Sequence, residues 1–436
     1  MRLLNAMQTW ECESFLQTNI ILLISSLLLV SVVSSMPVSA NSQISEVSGP
    51  YVTNTGQSSA FVNWISGEES SFKLFYDDEL NYTKMAGYSK ILEKPDYNPA
   101  ACLYRAELSG LVPDTVYHYK ITGEGFESGD CTFRTFPKSG GFSFVVIGDT
   151  HASGGTGDGN YIRSLLASEI SGQEPLFVIF TGDMVSEGLD VSGWDEFFNE
   201  MSPVLRNSSV FTSPGNHEDN STLYYDYFGY PEWYSFECGD SSFYSLDSNE
   251  NACPLMDLQN DWIEESLPGN NNLKFVYFHH PPYSSDKRHP GGWKNIRDQW
   301  SGYFSRYSVD AVFSGHVHAY EHYFSDLTHY LITGTGGGNL YALSDEKPEG
   351  YLKSSPGVYG YLRIDVLDNG KTALCEFVPV ILSEKTSEIN QKPVNEYGDR
   401  FEINSCFENS LSRKMSDILG IFPGDIPQSP EKIRSY

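Results

Sequence analysis

The order of apolar and polar positions divides the chain into two differently patterned stretches. Between residues 46 and 136, short runs alternate apolar with polar side chains at turn-rich intervals: Ser59–Trp64, Phe72–Tyr76, Tyr104–Leu108 and Val116–Ile121. Alternation over so few residues predicts half-buried strands, and their spacing predicts an all-β sandwich. After Pro137-Lys138-Ser139-Gly140-Gly141 the pattern changes. Phe142–Ile147, Leu176–Thr181 and Leu273–Phe278 are β-branched and aromatic runs suited to buried strands. Tyr161–Ile170, Trp194–Leu205, Leu258–Ser266 and Ile296–Tyr307 read as helices between them, and strands from Tyr330 to Val378 close the stretch. Such alternation predicts an α/β layered fold. From Glu384 onward the chain is polar, with one weak helical piece near Leu411–Leu419.

A chain of 436 residues exceeds the roughly 250–300 at which single cores stop growing. The division expected is therefore a sandwich over 46–136, an α/β domain over 141–383 and a C-terminal extension over 384–436. Ahead of these, Ile20–Val33 is an apolar run broken only by Ser25, Ser26 and Ser31, and Val38-Ser39-Ala40 offers a small-residue cleavage site. The run is shorter than the ~20 residues a membrane span needs, so residues 1–40 read as a signal peptide, with an uncleaved anchor as the alternative. Arg2 is its one preceding basic residue, and Glu11 and Glu13 are acidic. Either way the remainder is secreted or faces outward.

Charge narrows the partners. Lys and Arg number 28 against 57 Asp and Glu, a net charge of −29 with no basic run, which repels nucleic acid and anionic membrane. An anionic substrate must therefore be held by local charge. Six of the seven cysteines follow residue 40, at 102, 131, 238, 253, 375 and 406. In an exported chain they permit three disulfides among 15 connectivities, nearest-neighbour pairing (102–131, 238–253, 375–406) being the simplest. None forms a CxxC pair, which argues against a thiolate zinc site. Sequons stand at Asn81, Asn207 and Asn220, the last so close to Asn216-His217 that a glycan would crowd any cleft there.

Candidate chemistry lies in five polar clusters: Gly148-Asp149-Thr150-His151, Gly182-Asp183-Met184-Val185, Gly215-Asn216-His217-Glu218, His279-His280-Pro281-Pro282-Tyr283 and Gly315-His316-Val317-His318. Four of them directly follow apolar strands. Alone, each has an ordinary reading as a turn, a helix cap or a surface histidine pair. Together and in order, they place carboxylate, imidazole and carboxamide groups at strand ends, where a glycine lets the next side chain project into a shared crevice. Asp149, His151, Asp183, Asn216, His279, His316 and His318 are too many ligands for one tetrahedral ion, and enough for two divalent ions (Fe, Mn or Zn) sharing a carboxylate.

The ordered set GDxH, GDxV, GNHE, HHPPY and GHVH resembles the calcineurin-like metallophosphoesterase superfamily. The preceding sandwich, His279–Tyr283 and Gly315–Glu321 resemble purple acid phosphatases in particular, and Leu108–Tyr119 resembles a fibronectin type III corner, in which Tyr117 is a packing residue. The resemblance covers roughly residues 46–380. It implies a multidomain chain: a fibronectin type III-like sandwich, then a four-layer α/β domain of two sheets flanked by helices. It also implies one metal on Asp149, His151, Asp183 and His318, and a second on Asp183, Asn216, His279 and His316. Asp183 would be the bridge, a metal-bound hydroxide the nucleophile, His217 the group that protonates the leaving alkoxide or steadies the phosphate, and His289 a phosphate contact. His280 and Tyr283 would support the site, and His322 and His329 would be structural.

Two departures stand out. Ser186 occupies the position of the phenolate that colours purple acid phosphatases, while His151 adds an imidazole those enzymes usually lack; His322 stands where similar plant enzymes often carry Arg. The function implied is hydrolysis of phosphate monoesters on a small phosphorylated substrate. A phosphodiesterase or nucleotide hydrolase on the same site is the near alternative, and a non-catalytic surface binding protein the remote one.

Overall fold

The computed structural model describes residues 47–67, 69–93, 102–151, 158–249, 256–269, 272–368, 370–383 and 393–405. The expected signal segment and the helical piece near Leu411–Leu419 lie outside them.

The first domain contains β1 (Val47–Thr53), β2 (Ser59–Ser66), β3 (Phe72–Asp77), β4 (Lys84–Ala86), β5 (Ser89–Glu93), β6 (Cys102–Ser109), β7 (Val116–Gly123), β8 (Phe126–Glu127) and β9 (Cys131–Arg134). One layer runs β1-β2-β6-β5; the other runs β4-β3-β7-β8, with β9 also on β7. Their inward residues form one core around Trp64, Tyr104, Tyr117 and Phe133, with the Trp64 and Tyr104 rings stacked at 5.5 Å. Tyr117 is buried and its hydroxyl accepts the Val112 N–H at 2.9 Å, which fastens the turn before β7 to the strand itself.

The second domain adds β10 (Phe142–Ile147), α1 (Asp158–Ser171), β11 (Phe177–Phe180), α2 (Val191–Glu200), α3 (Ser202–Leu205), β12 (Ser209–Thr212), α4 (Thr222–Phe228), β13 (Tyr234–Cys238), β14 (Ser241–Ser245), α5 (Met256–Ser266), β15 (Lys274–Tyr277) and α6 (Lys294–Arg306). It closes with β16 (Ala311–Ser314), β17 (Tyr320–Ser325), β18 (Thr328–Thr333), β19 (Tyr351–Ser355), β20 (Val358–Val366), β21 (Thr372–Leu382) and β22 (Asp399–Asn404). Two sheets face each other. One contains β22-β21-β20-β10-β11-β12; the other runs β13-β14-β15-β16-β18-β17-β19. Phe144 meets Phe243, Phe275 and Phe313 of the facing sheet at ring separations of 5.2, 5.5 and 6.1 Å, so aromatic packing sets the distance between the sheets. On the outer faces, the buried Trp194, Phe197 and Phe198 of α2 and Ile296, Trp300 and Phe304 of α6 complete four layers.

The two domains share a sheet: β1 pairs in parallel with β12, which makes the first sheet ten strands wide. Arg105 on β6 donates to the carbonyls of Asp226 (2.8 Å) and Tyr227 (3.1 Å), and Asn207 Oδ1 accepts the Thr132 N–H at 3.1 Å. A cavity of about 410 Å³ at this seam is lined by residues such as Arg134, Glu174 and Asn207, and none of the candidate ligands reaches it.

Several expectations are revised. Trp194–Leu205 is not one helix: it breaks at Met201, because Pro203, inside the first turn of α3, cannot continue the preceding helix. α4 is not among the helices expected above; its aromatic residues favour strands, but Ser221 caps the start and Gly229 ends it at φ +72°. The 384–436 extension is not wholly outside the fold, since Asp399–Asn404 pairs antiparallel with β21. Cys102 and Cys131 are buried thiols and not a disulfide: they open strands in opposite sheets, and the Cys131 sulfur receives Arg206 Nε at 3.2 Å. Cys253 and Cys406, partners in the other two expected pairs, lie outside the described residues.

β22 is fastened through Asp399, whose Oδ2 accepts from the Tyr320 hydroxyl at 2.8 Å and lies 2.9 Å from His322 Nδ1. His322 Nε2 in turn lies 2.9 Å from His329 Nδ1. Burial, then the neighbouring His322, depresses His329 to about 3 from 6.5. A folded-state pKa below the unfolded one gives stability that is present above pH 6.5 and is lost as pH falls toward about 3. His329→Gln should therefore lose less Tm than the unsubstituted protein between about pH 7 and pH 4. Superimposable pH profiles in scanning calorimetry would contradict this role.

Candidate dinuclear metal centre

The five clusters sit at the carboxyl ends of parallel strands. Asp149 follows β10, Asp183 follows β11 and Asn216 follows β12; His279 follows β15, and His316 and His318 follow β16. Asp149, Asp183 and His316 adopt φ of +56°, +54° and +65°, a left-handed conformation that non-glycine residues hold only when the surroundings enforce it. Two glycines explain how the tips approach one another. A Cβ on Gly215 would lie 2.2 Å from Asp183 Oδ1, and one on Gly315 would lie 2.4 Å from Asp149 Oδ2.

The structure gathers all seven candidate ligands. Asp183 Oδ2 lies 3.0 Å from His279 Nε2, which is also 3.1 Å from Asn216 Oδ1 and 3.0 Å from His316 Nδ1. Asp149 Oδ1 lies 3.2 Å from His318 Nε2, and the rings of His151 and His318 are 5.3 Å apart. Asp149, His151 and His318 can bring ligand atoms within 4.8 Å of one another, as can Asp149, Asp183 and His279. Asp183 thus touches the His279 side while its backbone carbonyl accepts the His151 N–H at 3.1 Å.

Whether these residues suit metal ions is tested by their unmet polar atoms. Both ring nitrogens of His151 and Oδ1 of Asp149 are buried without a hydrogen-bond partner, a costly state unless something else occupies them. Burial depresses His151 to about 4 and also holds His316 well below the usual imidazole range, so both keep the neutral form that ligates metals. His279 and His318 are oriented: His279 Nδ1 donates to the Thr181 carbonyl and His318 Nδ1 to that of Asn339, each at 2.8 Å, which turns both Nε2 lone pairs inward. Burial lowers His279, but Asp183 outweighs it and lifts the ring to about 9. Burial raises the Asp183 carboxyl, but His279 outweighs that and holds it well below the carboxylate range. The donor set and its orphaned atoms fit two oxygen- and nitrogen-loving cations.

Around the ligands, His217 Nδ1 donates to the Ser186 carbonyl at 2.7 Å, its Nε2 lies 3.9 Å from Asp183 Oδ2, and its ring is 4.6 Å from that of His151. His289 stands further out, with Nδ1 3.2 Å from Asp286 Oδ2 and its ring 5.8 Å from His316. His280 Nδ1 lies 3.0 Å from Ser248 Oγ while its ring stays 4.6 Å from that of His316, and His279, His280 and His316 can also bring ligand atoms within 4.8 Å of one another; Tyr283 packs on Tyr330. His322, where plant relatives were expected to carry Arg, is directed at Asp399.

Glu218 was quoted in its motif without a role. It is fully buried and accepts the N–H groups of Asp183 and Met184, each at 2.8 Å, and of Gly215 at 2.7 Å, so it braces two strand tips together. Its position directly after Asn216-His217 was the available signal. Tyr341 was also missed: its ring stacks on His318 at 4.2 Å, with no nearby motif to mark it.

If His151 is a ligand of one ion only, His151→Ala should bind one equivalent of metal per chain in place of two, with an unchanged fold by circular dichroism. Elemental analysis after reloading would read this directly; two retained equivalents would exclude His151 from the set.

Comparison with known proteins agrees with this geometry. Residues 142–320 match the family model described as calcineurin-like phosphoesterase. The chain is 28% identical over 264 residues to an uncharacterized protein of Mycobacterium tuberculosis, covering 50% of each. It is 24% identical over 351 residues to purple acid phosphatase 21 of Arabidopsis thaliana, covering 70% of this chain and 78% of that one. The chain therefore spans about half the length of the mycobacterial relative. Among solved structures, the purple acid phosphatase PPD1 from yellow lupin (Lupinus luteus) seeds superposes with a TM-score of 0.65 at 17% identity, over 88% of this chain and 77% of that one, a likeness of fold. The strand tips that gather the seven ligands all fall within the matched segment, and residues 142–320 are a calcineurin-like phosphoesterase domain in a chain whose relatives include purple acid phosphatases.

Proposed function

We propose that the protein is a phosphatase of the purple acid phosphatase type, hydrolysing phosphate monoesters of small substrates at a dinuclear metal centre. The observation that carries the reading is the buried ring of His151, neither of whose nitrogens has a hydrogen-bond partner, gathered with Asp149 and His318 beside Asp183. Asp149, His151, Asp183 and His318 would hold one divalent ion, and Asp183, Asn216, His279 and His316 the other. Two bound cations would supply Lewis-acid polarisation of the phosphoryl group and activation of water at neutral pH.

The chain's own residues do the rest. One oxygen of each carboxylate is held by backbone, Asp183 by the His217 N–H at 2.9 Å and Asp149 by the His316 N–H at 2.8 Å, which orients the other oxygen. His217 is anchored through Nδ1 to Ser186 and presents Nε2 to the cleft, where it can hand a proton to the leaving oxygen. His289, on the rim, is placed to meet the phosphate. The fibronectin type III-like character of the first domain rests on the Tyr117 corner, and this domain walls the phosphoesterase sheet. Export to an oxidising, extracellular setting follows from the reading of residues 1–40; no helix among the described residues is long and apolar enough to cross a membrane.

Three outcomes are expected. Metal-reloaded protein turns over p-nitrophenyl phosphate faster than its bis ester, and Asp183→Asn abolishes both turnover and stoichiometric metal; full metal and activity in that variant would defeat the shared-carboxylate reading. His217→Ala keeps its metal but loses about 10²–10⁴-fold in kcat. Because Ser186 replaces a phenolate, iron-loaded protein shows no intense visible charge-transfer band; such a band, persisting in His151→Ala, would contradict this.

A further inference from the structure

The rim of the cleft holds a cation that the metal ligands do not use. Arg288 lies with its guanidinium carbon 3.4 Å over the Tyr341 ring, and that ring stacks at 4.2 Å on His318. On the other side, His289 packs on Trp293 at 4.1 Å, and Trp293 meets His316 at 4.5 Å. Each candidate ion is thus flanked, through one aromatic spacer, by a basic side chain from the same short segment. Asp286 splays the pair: its Oδ2 lies 3.2 Å from His289 Nδ1 and 3.4 Å from Arg288 Nε, while its own side chain is 2% exposed.

The segment is built to hold this arrangement. The Asp286 N–H donates to Ser284 Oγ at 2.9 Å, and Ser284 Oγ donates to the buried Glu321 at 2.7 Å. Asp286 bridges to Leu343, and the Ser344 N–H donates to the Ser285 carbonyl at 2.7 Å, which ties the Arg288 segment to the one carrying Tyr341. The Tyr341 N–H donates in turn to the His318 carbonyl at 2.8 Å.

We propose that Arg288 forms a second anion subsite, selecting substrates that carry another phosphoryl group next to the one hydrolysed, such as diphosphate esters and pyrophosphate. The inference rests on the phosphoesterase reading above and deepens it. An aromatic spacer keeps the guanidinium outside the ligand shell, so its partner is not the phosphoryl group held at the metals but the next acidic group along the substrate. Half of the Arg288 side chain (54%) is exposed toward solvent, and a planar guanidinium matches phosphate oxygens in pairs. In a chain of net charge −29 a doubly phosphorylated substrate is repelled at long range; Arg288 meets Asp286 through Nε, and the rest of its guanidinium fork is what would offset that repulsion at the rim. The reaction is a simple hydrolysis: water adds across the terminal P–O bond, releasing inorganic phosphate and the remaining monophosphate.

The test measures kcat/KM of metal-reloaded full-length protein on p-nitrophenyl phosphate, ADP and inorganic pyrophosphate, for the unsubstituted chain, Arg288→Gln and Arg288→Lys. Arg288→Gln should lower the values for ADP and pyrophosphate by roughly 10- to 100-fold, and Arg288→Lys by less, while p-nitrophenyl phosphate changes by under about threefold. Equal losses on all three substrates, unchanged values on the diphosphates, or an unsubstituted protein that accepts p-nitrophenyl phosphate but neither diphosphate would each overturn the subsite. An unsubstituted, metal-loaded protein inert toward p-nitrophenyl phosphate would instead sink the phosphoesterase reading, and this inference with it.

Discussion

Close approach of backbone at the strand tips is the constraint from which the rest follows. Asp183 Oδ1 and Asp149 Oδ2 occupy the volumes that side chains on Gly215 and Gly315 would need. Both carboxylates, and His316, are held in left-handed backbone that only a crowded, over-determined site sustains. Glu218 supplies much of that enforcement by accepting N–H groups from two adjacent tips at once. Burial, then the nearby Asp183, pushes its carboxyl up to about 7, so its hydrogen bonds are made at an electrostatic cost that the local fold absorbs.

The ligands divide between the two sheets. Both carboxylates and the carboxamide come from β10, β11 and β12, whereas His279, His316 and His318 come from β15 and β16. A pair of ions bridging the sets would then be sensitive to the separation of the sheets, which edge-to-face contacts of Phe144 and Phe177 with Phe243 of the facing sheet set. Interiors packed this densely do not stretch continuously. The sandwich adds stiffness of another kind: by pairing with β12, β1 braces the strand that leads into Asn216 and His217.

What sequence patterns reveal depends on how local the cause is. Phe142–Ile147 was legible to the residue because a buried parallel strand is a continuous apolar run. Four of the five clusters were legible because each pairs a turn glycine with a ligand, and the fifth, His279–Tyr283, because paired histidines end an apolar strand. α4 was not, since Leu223, Tyr224, Tyr227 and Phe228 are buried by tertiary contacts that override their strand preference. β22 pairs across a stretch of polar chain, and the Cys102–Cys131 pairing failed because neighbours in sequence lie in opposite sheets of the sandwich. Tyr341 and Arg288 meet groups brought to them by folding, through stacking that leaves no period and no spacing to read, whereas Glu218 was marked by its motif but not its role.

Charge balance ties the site to the composition. Its seven candidate ligands include only two carboxylates, Asp149 and Asp183; the other five are four imidazoles and an amide, neutral when they ligate. A phenolate at position 186 would have made the set three-fold anionic, but that residue is serine. On the proposed reading, two divalent ions held by two negative charges would leave a net positive centre in a chain of net charge −29. An acidic surface of this kind repels polyanions at long range, while a small phosphate ester reaching such a centre would meet a field of the opposite sign within a Debye length of about 8 Å at physiological salt.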